Sequence, residues 1–96
     1  MKLILVMYSG NRPRVVPELL DATGVHGYTE LQGAHGAGRH GKHTGTRAWP
    51  GETSVFFSMV EDQQVPTLLD ALRAQGAQSL PGESLHAAEL PVEYFG

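Results

Sequence analysis

The chain has 96 residues, no cysteine and a formal net charge of −3 at pH 7. This length predicts a single domain over residues 1–96 with a small hydrophobic core. The absence of cysteine excludes disulfides and thiolate metal ligands, and the acidic balance argues against a nucleic-acid-binding protein. The apolar start is too short for a signal peptide or a membrane span, so a cytoplasmic location is the default expectation.

The first half of the chain predicts a strand, a helix and a second strand. Residues 2–9 are a continuous apolar run with β-branched side chains, which is typical of a central strand buried on both faces. Residues 12–23 have the apolar spacing of a helix, in which Pro17 is tolerated only near the start, and Gly24 lies where the helix should end. Residues 27–32 alternate in polarity and predict a short strand.

The second half repeats this order. Residues 52–60 are dense in β-formers, residues 63–75 carry a helical apolar stripe that Gly76 should end, and residues 83–90 predict an edge strand. The order strand, helix, strand, strand, helix, strand is the α+β ferredoxin-like plan. Right-handed crossovers would place both helices on one face of a four-stranded antiparallel sheet. The other face would lack a cover, which favours self-association.

Residues 33–51, GAHGAGRHGKHTGTRAWPG, contain six of the 12 glycines and no acid. Glycine loses backbone entropy in regular structure and packs no side chain, so we expect a long exposed loop in which residues 34–47 are mobile without ligand. Backbone N–H groups and permanent cations suit an anion. The candidate effector-binding residues in this segment are Gly33, Gly36, Gly38, Arg39, Gly41, Lys42 and Arg47.

Within this segment, GAGRHGK over residues 36–42 matches the spacing of a phosphate loop and of a dinucleotide-binding turn. Both motifs need a helix directly after the loop, and Gly45 and Pro50 exclude a long one. We therefore expect no Walker or Rossmann site. A looser phosphate cradle of backbone N–H groups stays open.

Three histidines, His35, His40 and His43, make a metal site the alternative. Imidazole binds Zn²⁺ or Cu²⁺, but no carboxylate or thiolate assists nearby and the spacing matches no closed zinc motif. A soluble Gly/His-rich loop with adventitious metal affinity explains the same residues. No nucleophile and base are placed together, so we expect no enzymatic activity.

Three segments carry a family resemblance: TELQG at 29–33 before the glycine-rich stretch, TRAWPG at 46–51 before a strong strand, and LPVE at 90–93. With them the chain resembles compact members of the PII nitrogen-regulatory superfamily. The resemblance implies a homotrimer with effector sites in the clefts between subunits. It also implies that residues 33–51 correspond to the T-loop, which signals to a partner such as a transporter or an enzyme. An adenine nucleotide or bicarbonate is the effector class it suggests.

The chain departs from the PII pattern just before the last strand. PII proteins carry GDGK there, with a lysine that contacts nucleotide phosphate. Counting back from Pro91, the lysine position holds His86 and the glycine positions hold Glu83 and Leu85. The arginines that follow the last strand in PII chains have no counterpart before Gly96. These departures argue against tight ATP binding in the usual manner, and they leave a metal-binding trimer of the cation-tolerance type, with Zn or Cu, as the alternative.

Overall fold

The computed structural model describes residues 1–38, 41–43 and 52–96. In chain order the elements are β1 (Lys2–Gly10), α1 (Val15–Ala22), β2 (Thr29–Ala34), β3 (Gly36–Gly38), β4 (Gly41–His43), β5 (Glu52–Val60), a 3₁₀ turn (Asp62–Gln64), α2 (Val65–Ala77) and β6 (Ser84–Pro91). The four long strands form one antiparallel sheet in the order β2-β5-β1-β6. The predicted ferredoxin-like fold is confirmed, with β1 and β5 central and β6 at an edge.

Both helices pack against the same face of this sheet. Alternate residues of β1 and β5 point to that face, because successive side chains of a strand point to opposite sides. Phe56 of β5 is 2% exposed, and Leu68 of α2 is fully buried beneath the sheet. The rest of the core is Ile4, Val6, Tyr8, Val16, Leu20, Val25, Val60, Val65 and Leu72. Burial of these side chains is the main force that holds helices and sheet together.

The opposite face of the sheet has no cover within the described chain. Leu5 and Phe57 pair across β1 and β5 on this side and are only half-buried, while Met7 is 40% exposed. The prediction that β1 is buried on both faces is therefore wrong for a single chain. We call this surface the open sheet face, and its apolar residues are Leu3, Leu5, Met7, Leu31, Val55, Phe57, Met59 and Leu90.

Both helices differ at their ends from the prediction. α1 begins at Val15 rather than residue 12, because Arg12 belongs to a turn in which its carbonyl accepts a hydrogen bond from the Val15 N–H at 3.1 Å. α2 continues through Gly76 to Ala77. Glycine costs only about 1 kcal/mol in a helix, and packing of α2 on the sheet outweighs that cost. Among the described residues, no helix is long and apolar enough to cross a membrane.

Part of the segment predicted as a loop is strand. β3 and β4 pair antiparallel as a separate two-stranded ladder, with Gly36 opposite His43 and Gly38 opposite Gly41. The glycines therefore do form regular structure, although not in the main sheet. A short ladder tolerates glycine because its stability depends on backbone hydrogen bonds more than on side-chain packing.

Candidate functional site

Four strand ends and two turns meet at one end of the sheet. The register places Gly10 opposite Glu52, Ser9 opposite both Thr53 and Ser84, and Ala34 opposite Thr53. The segment between β2 and β5 therefore leaves and re-enters the sheet here. The turns after β1 and before β6 lie at the same end, which we call the loop end of the sheet.

Gly33 redirects the chain at this end. The register between β2 and β5 shifts between Leu31 and Ala34, and Gly33 inside this bulge has φ +71°. A side chain is strained at this backbone angle, whereas glycine adopts it freely. The predicted role of Gly33 in effector binding is untested. Its position nevertheless explains how β2 passes into the β3–β4 hairpin.

Hydroxyl groups line the loop end. Ser9 Oγ and Thr53 Oγ1 are 2.7 Å apart and share one hydrogen bond, and Ser9 is 5% exposed. Ser84 is the register partner of Ser9 on the other side. The three residues lie on the same side of the sheet as the open sheet face, because paired residues of neighbouring strands share a face. We did not predict this row, since isolated serines and threonines on strands carry no sequence signal.

A charged network joins the two turns at the loop end. The Glu83 carboxylate accepts hydrogen bonds from Arg12 Nε at 2.7 Å, from Arg12 Nη2 at 2.6 Å and from the Leu80 N–H at 2.8 Å. It also accepts one from the Tyr8 hydroxyl, which in turn accepts the Arg12 N–H at 2.9 Å. The Glu83 side chain is only 5% exposed, although the Arg12 side chain is 40% exposed. The network holds the turns after β1 and before β6 together.

These contacts shift the ionisation of all three side chains. The hydrogen bonds from Arg12 first, and then from Tyr8, lower the pKa of Glu83 to about 2. Burial and the bond to Glu83 raise the pKa of Tyr8, and the same carboxylate raises the pKa of Arg12. Glu83 and Arg12 are therefore both charged at neutral pH, and each stabilises the charged form of the other.

Gly10 lets the Tyr8 hydroxyl and the Glu83 side chain lie close to the backbone of the turn after β1. A Cβ built at Gly10 would lie 2.5 Å from the Tyr8 hydroxyl oxygen and 2.8 Å from Cγ of Glu83. Both distances are far below ordinary contact, so any side chain here would displace the network.

The structure gathers some of the predicted effector residues and leaves others apart. Gly36, Gly38, Gly41 and Lys42 lie in the β3–β4 hairpin, where strand pairing uses part of their backbone hydrogen-bonding capacity. His86 is exposed and pairs with Met7 on the side of the open sheet face, two residues beyond Ser84. Arg39 and Arg47 lie outside the described residues. Their roles, like that of His86, stay predictions.

The described residues give the metal alternative no further support. His35 is exposed and His43 lies in β4, while His40 is outside the described residues. No group of three His, Cys, Asp or Glu side chains that could hold a metal ion occurs in the part of the chain that the structure describes. The Nδ1 atom of His26 lies 3.0 Å from Oδ1 of Asp21.

A ferredoxin-like sheet with a long insertion between its second and third long strands defines a class of small α+β proteins. The sequence model of the family described as nitrogen regulatory protein P-II matches residues 1–82. The chain belongs to this family of regulatory proteins. Comparison with curated protein sequences finds no match.

Solved structures with the same fold include CPII, a nitrogen regulatory PII-like protein from Thiomonas intermedia K12. Its complex with ADP, AMP and bicarbonate has 21% sequence identity and a TM-score of 0.72, covering 97% of this chain and 88% of that chain. Its complex with ADP and bicarbonate has 22% identity and a TM-score of 0.71 over the same shares. At this identity the likeness shows the fold, in agreement with the sheet order and helix placement.

Proposed function

We propose that the chain is a non-enzymatic regulatory protein that senses a small anionic effector and signals to a partner through residues 33–51. The observation that carries the proposal is the P-II family match over residues 1–82. The position of the segment agrees with this role, because the sheet residues at which β2 ends and β5 begins lie at the loop end of the sheet. A change in the segment on effector binding would alter the surface offered to a transporter or an enzyme target.

The proposed effector is an adenine nucleotide or bicarbonate. The Thiomonas protein was solved with ADP, AMP and bicarbonate, which motivates this class of ligand. The local charge agrees, because residues 33–51 hold Arg39, Lys42 and Arg47 and no acid. Fixed cations and glycine backbone N–H groups favour anions over a metal dication.

The proposed assembly is a homotrimer with effector sites in the clefts between subunits. The open sheet face supports self-association, since contiguous apolar surface of this kind is uncommon on monomers. Leu5, Met7 and Phe57 lie at its centre. The number of subunits follows from the family resemblance alone.

Calorimetric titration at pH 7.5 tests the effector class. ADP, AMP and bicarbonate are titrated in turn, beside Zn²⁺ and Cu²⁺. We expect saturable binding of at least one of the three anions, and weaker binding after Arg39→Gln and Arg47→Gln. Arg73→Gln is the matched control, because Arg73 is an exposed arginine on α2 that pairs with Asp70. Stoichiometric metal binding without any anion binding would replace the proposal by the metal alternative.

A further inference from the structure

The Glu83 carboxylate lies among donors that come from three parts of the chain. Arg12 supplies Nε and Nη2 from the turn after β1, and Tyr8 supplies its hydroxyl from within β1. The Leu80 backbone N–H comes from the turn before β6. Both carboxylate oxygens are used, Oε1 by Arg12 Nη2 and Leu80, and Oε2 by Arg12 Nε and Tyr8.

This donor set is of the kind that proteins use for free carboxylates and phosphates. A guanidinium matches the two oxygens of such a group with two parallel hydrogen bonds. A hydroxyl and a backbone N–H complete the shell without adding charge. The donors therefore have the geometry of an anion-binding site, and the anion in it is a side chain of the same protein.

We propose that Arg12, Tyr8 and the Leu80 N–H form an anion-binding site whose permanent occupant is the Glu83 carboxylate. Glu83 thereby determines specificity, because it excludes external phosphate from the turn before β6. The inference goes beyond the proposed function, since it concerns contacts within one chain and holds whichever effector the protein senses. Its consequence for a nucleotide effector is that the phosphates must contact other residues.

An external anion competes poorly with this occupant. Glu83 is tethered beside its donors, so its effective concentration exceeds that of millimolar free phosphate. Protonation does not release it at neutral pH, since the pKa of Glu83 is about 2. The site still borders solvent at the Arg12 side chain, which is 40% exposed. A small anion can therefore enter once the occupant is removed.

Glu83→Ala with added acetate tests the proposal. Acetate contains the same heavy atoms as the Cγ and carboxyl group that the substitution removes. We expect Glu83→Ala to have a lower Tm than the unchanged chain, and acetate to raise that Tm in a saturable manner. Inorganic phosphate should act in the same direction. Acetamide, the neutral analogue, and chloride at equal ionic strength should not.

Two further variants assign the effect to this site. Glu83→Ala combined with Arg12→Gln should lose the response to acetate, because the two-point contact is gone. Glu89→Ala is the matched control, since it removes an exposed carboxylate from β6, the strand that directly follows Glu83. It should show no acetate response beyond that of chloride.

A phosphate titration of the chain without substitutions tests the proposal independently. Phosphate is titrated while the NMR signals of the Leu80 N–H and the Arg12 Nε–H are followed, and we expect neither to move. A saturable shift of these signals would overturn the exclusion of phosphate. The occupied-site proposal also fails if acetate stabilises Glu83→Ala and Glu89→Ala equally, if rescue persists without Arg12, or if Glu83→Ala stays unfolded at high acetate concentration.

Discussion

Arg12 and Glu83 form a two-point ion pair across 71 residues of sequence, with N–O distances of 2.7 and 2.6 Å. The pair joins the turn that leads into α1 to the turn that leads into β6. Both turns flank the end of the sheet at which residues 33–51 are inserted. The pair thus holds together the end of the sheet at which the proposed signalling segment is inserted.

The pair makes stability depend on pH in acid. Glu83 has an ordinary pKa of 4.5 that folding lowers to about 2, so its contribution is complete above pH 4.5 and is lost as the pH falls towards 2. We expect Glu83→Gln to cost about 1–3 kcal/mol at neutral pH. The difference in free energy of unfolding between Glu83→Gln and the unchanged chain should become smaller as the pH falls from 4.5 towards 2. Urea denaturation at a series of pH values measures this.

A control variant and a second carboxylate determine how the acid experiment is interpreted. Glu89→Gln removes an exposed carboxylate from β6 and should leave the pH profile unchanged. Some acid sensitivity should remain in every variant, because the bond from the N-terminal ammonium lowers the pKa of Asp62. Parallel loss of stability in Glu83→Gln and the unchanged chain would show that Glu83 does not cause the dependence.

Gly10→Ala should destabilise the fold through a steric clash. The new Cβ would lie 2.8 Å from Cγ of Glu83 and closer still to the Tyr8 hydroxyl. Overpacking of this kind typically costs about 1–3 kcal/mol. Gly27→Ala is the control, because a Cβ there meets nothing within 4 Å, and it should change stability by less than about 0.5 kcal/mol. Equal effects of the two substitutions in thermal unfolding would contradict the steric argument.

The fold followed from the sequence where local preference and packing agree. The span 52–60 was predicted without error because its residues are β-formers whose alternate side chains Ser54, Phe56, Ser58 and Val60 are buried. Helix ends were less predictable. Gly76 has poor helix propensity, yet α2 continues past it to Ala77. Leu72, one turn before the glycine, is buried, and its packing stabilises this end of the helix.

The network at the loop end could not be predicted in the same way. The apolar run over residues 2–9 predicts that Tyr8 lies in a buried strand, but it does not show which polar group its hydroxyl contacts. The chain has 10 acids and seven permanent cations, and sequence separation does not indicate that Glu83 pairs with Arg12. The one available signal was Glu83 itself, an acid at a position where the PII pattern has glycine.

Phe57→Glu should abolish self-association while leaving the subunit folded. Phe57 lies on the open sheet face opposite Leu5 and is half-buried in the single chain. A carboxylate buried between subunits is unpaired and loses its hydration, which opposes assembly. Light scattering should report a monomer, and circular dichroism should report native secondary structure.

The control is Phe95→Glu, a substitution of the same type at a residue that is 64% exposed and lies beyond β6. It should keep the assembly of the unchanged chain. A stable monomer of the unchanged chain at micromolar concentration would refute the proposed homotrimer. An unchanged assembly in Phe57→Glu would place the interface elsewhere.

The sign of the pH dependence of effector binding separates an anion from a metal. Residues 33–51 hold three fixed cations and three histidines, and a proton taken up by an imidazole adds positive charge. Acidification can therefore only raise the positive charge of the segment. An anion whose own charge stays constant should bind more tightly in acid. Sulfate, titrated in a buffer without chloride, is a suitable probe. A metal needs neutral imidazole and competes with protons, so it should bind more weakly.

The same titration with variants identifies the binding groups. Arg39→Gln with Arg47→Gln should weaken anion binding about tenfold, which is the loss of roughly 1.4 kcal/mol. His35→Ala, His40→Ala and His43→Ala together should change anion binding little at pH 7.5, because imidazole, unlike guanidinium, carries no permanent charge. The triple variant should, however, remove the acid enhancement. If it abolishes effector binding at pH 7.5 while the arginine variants do not, histidine ligands and a metal replace the anionic effector.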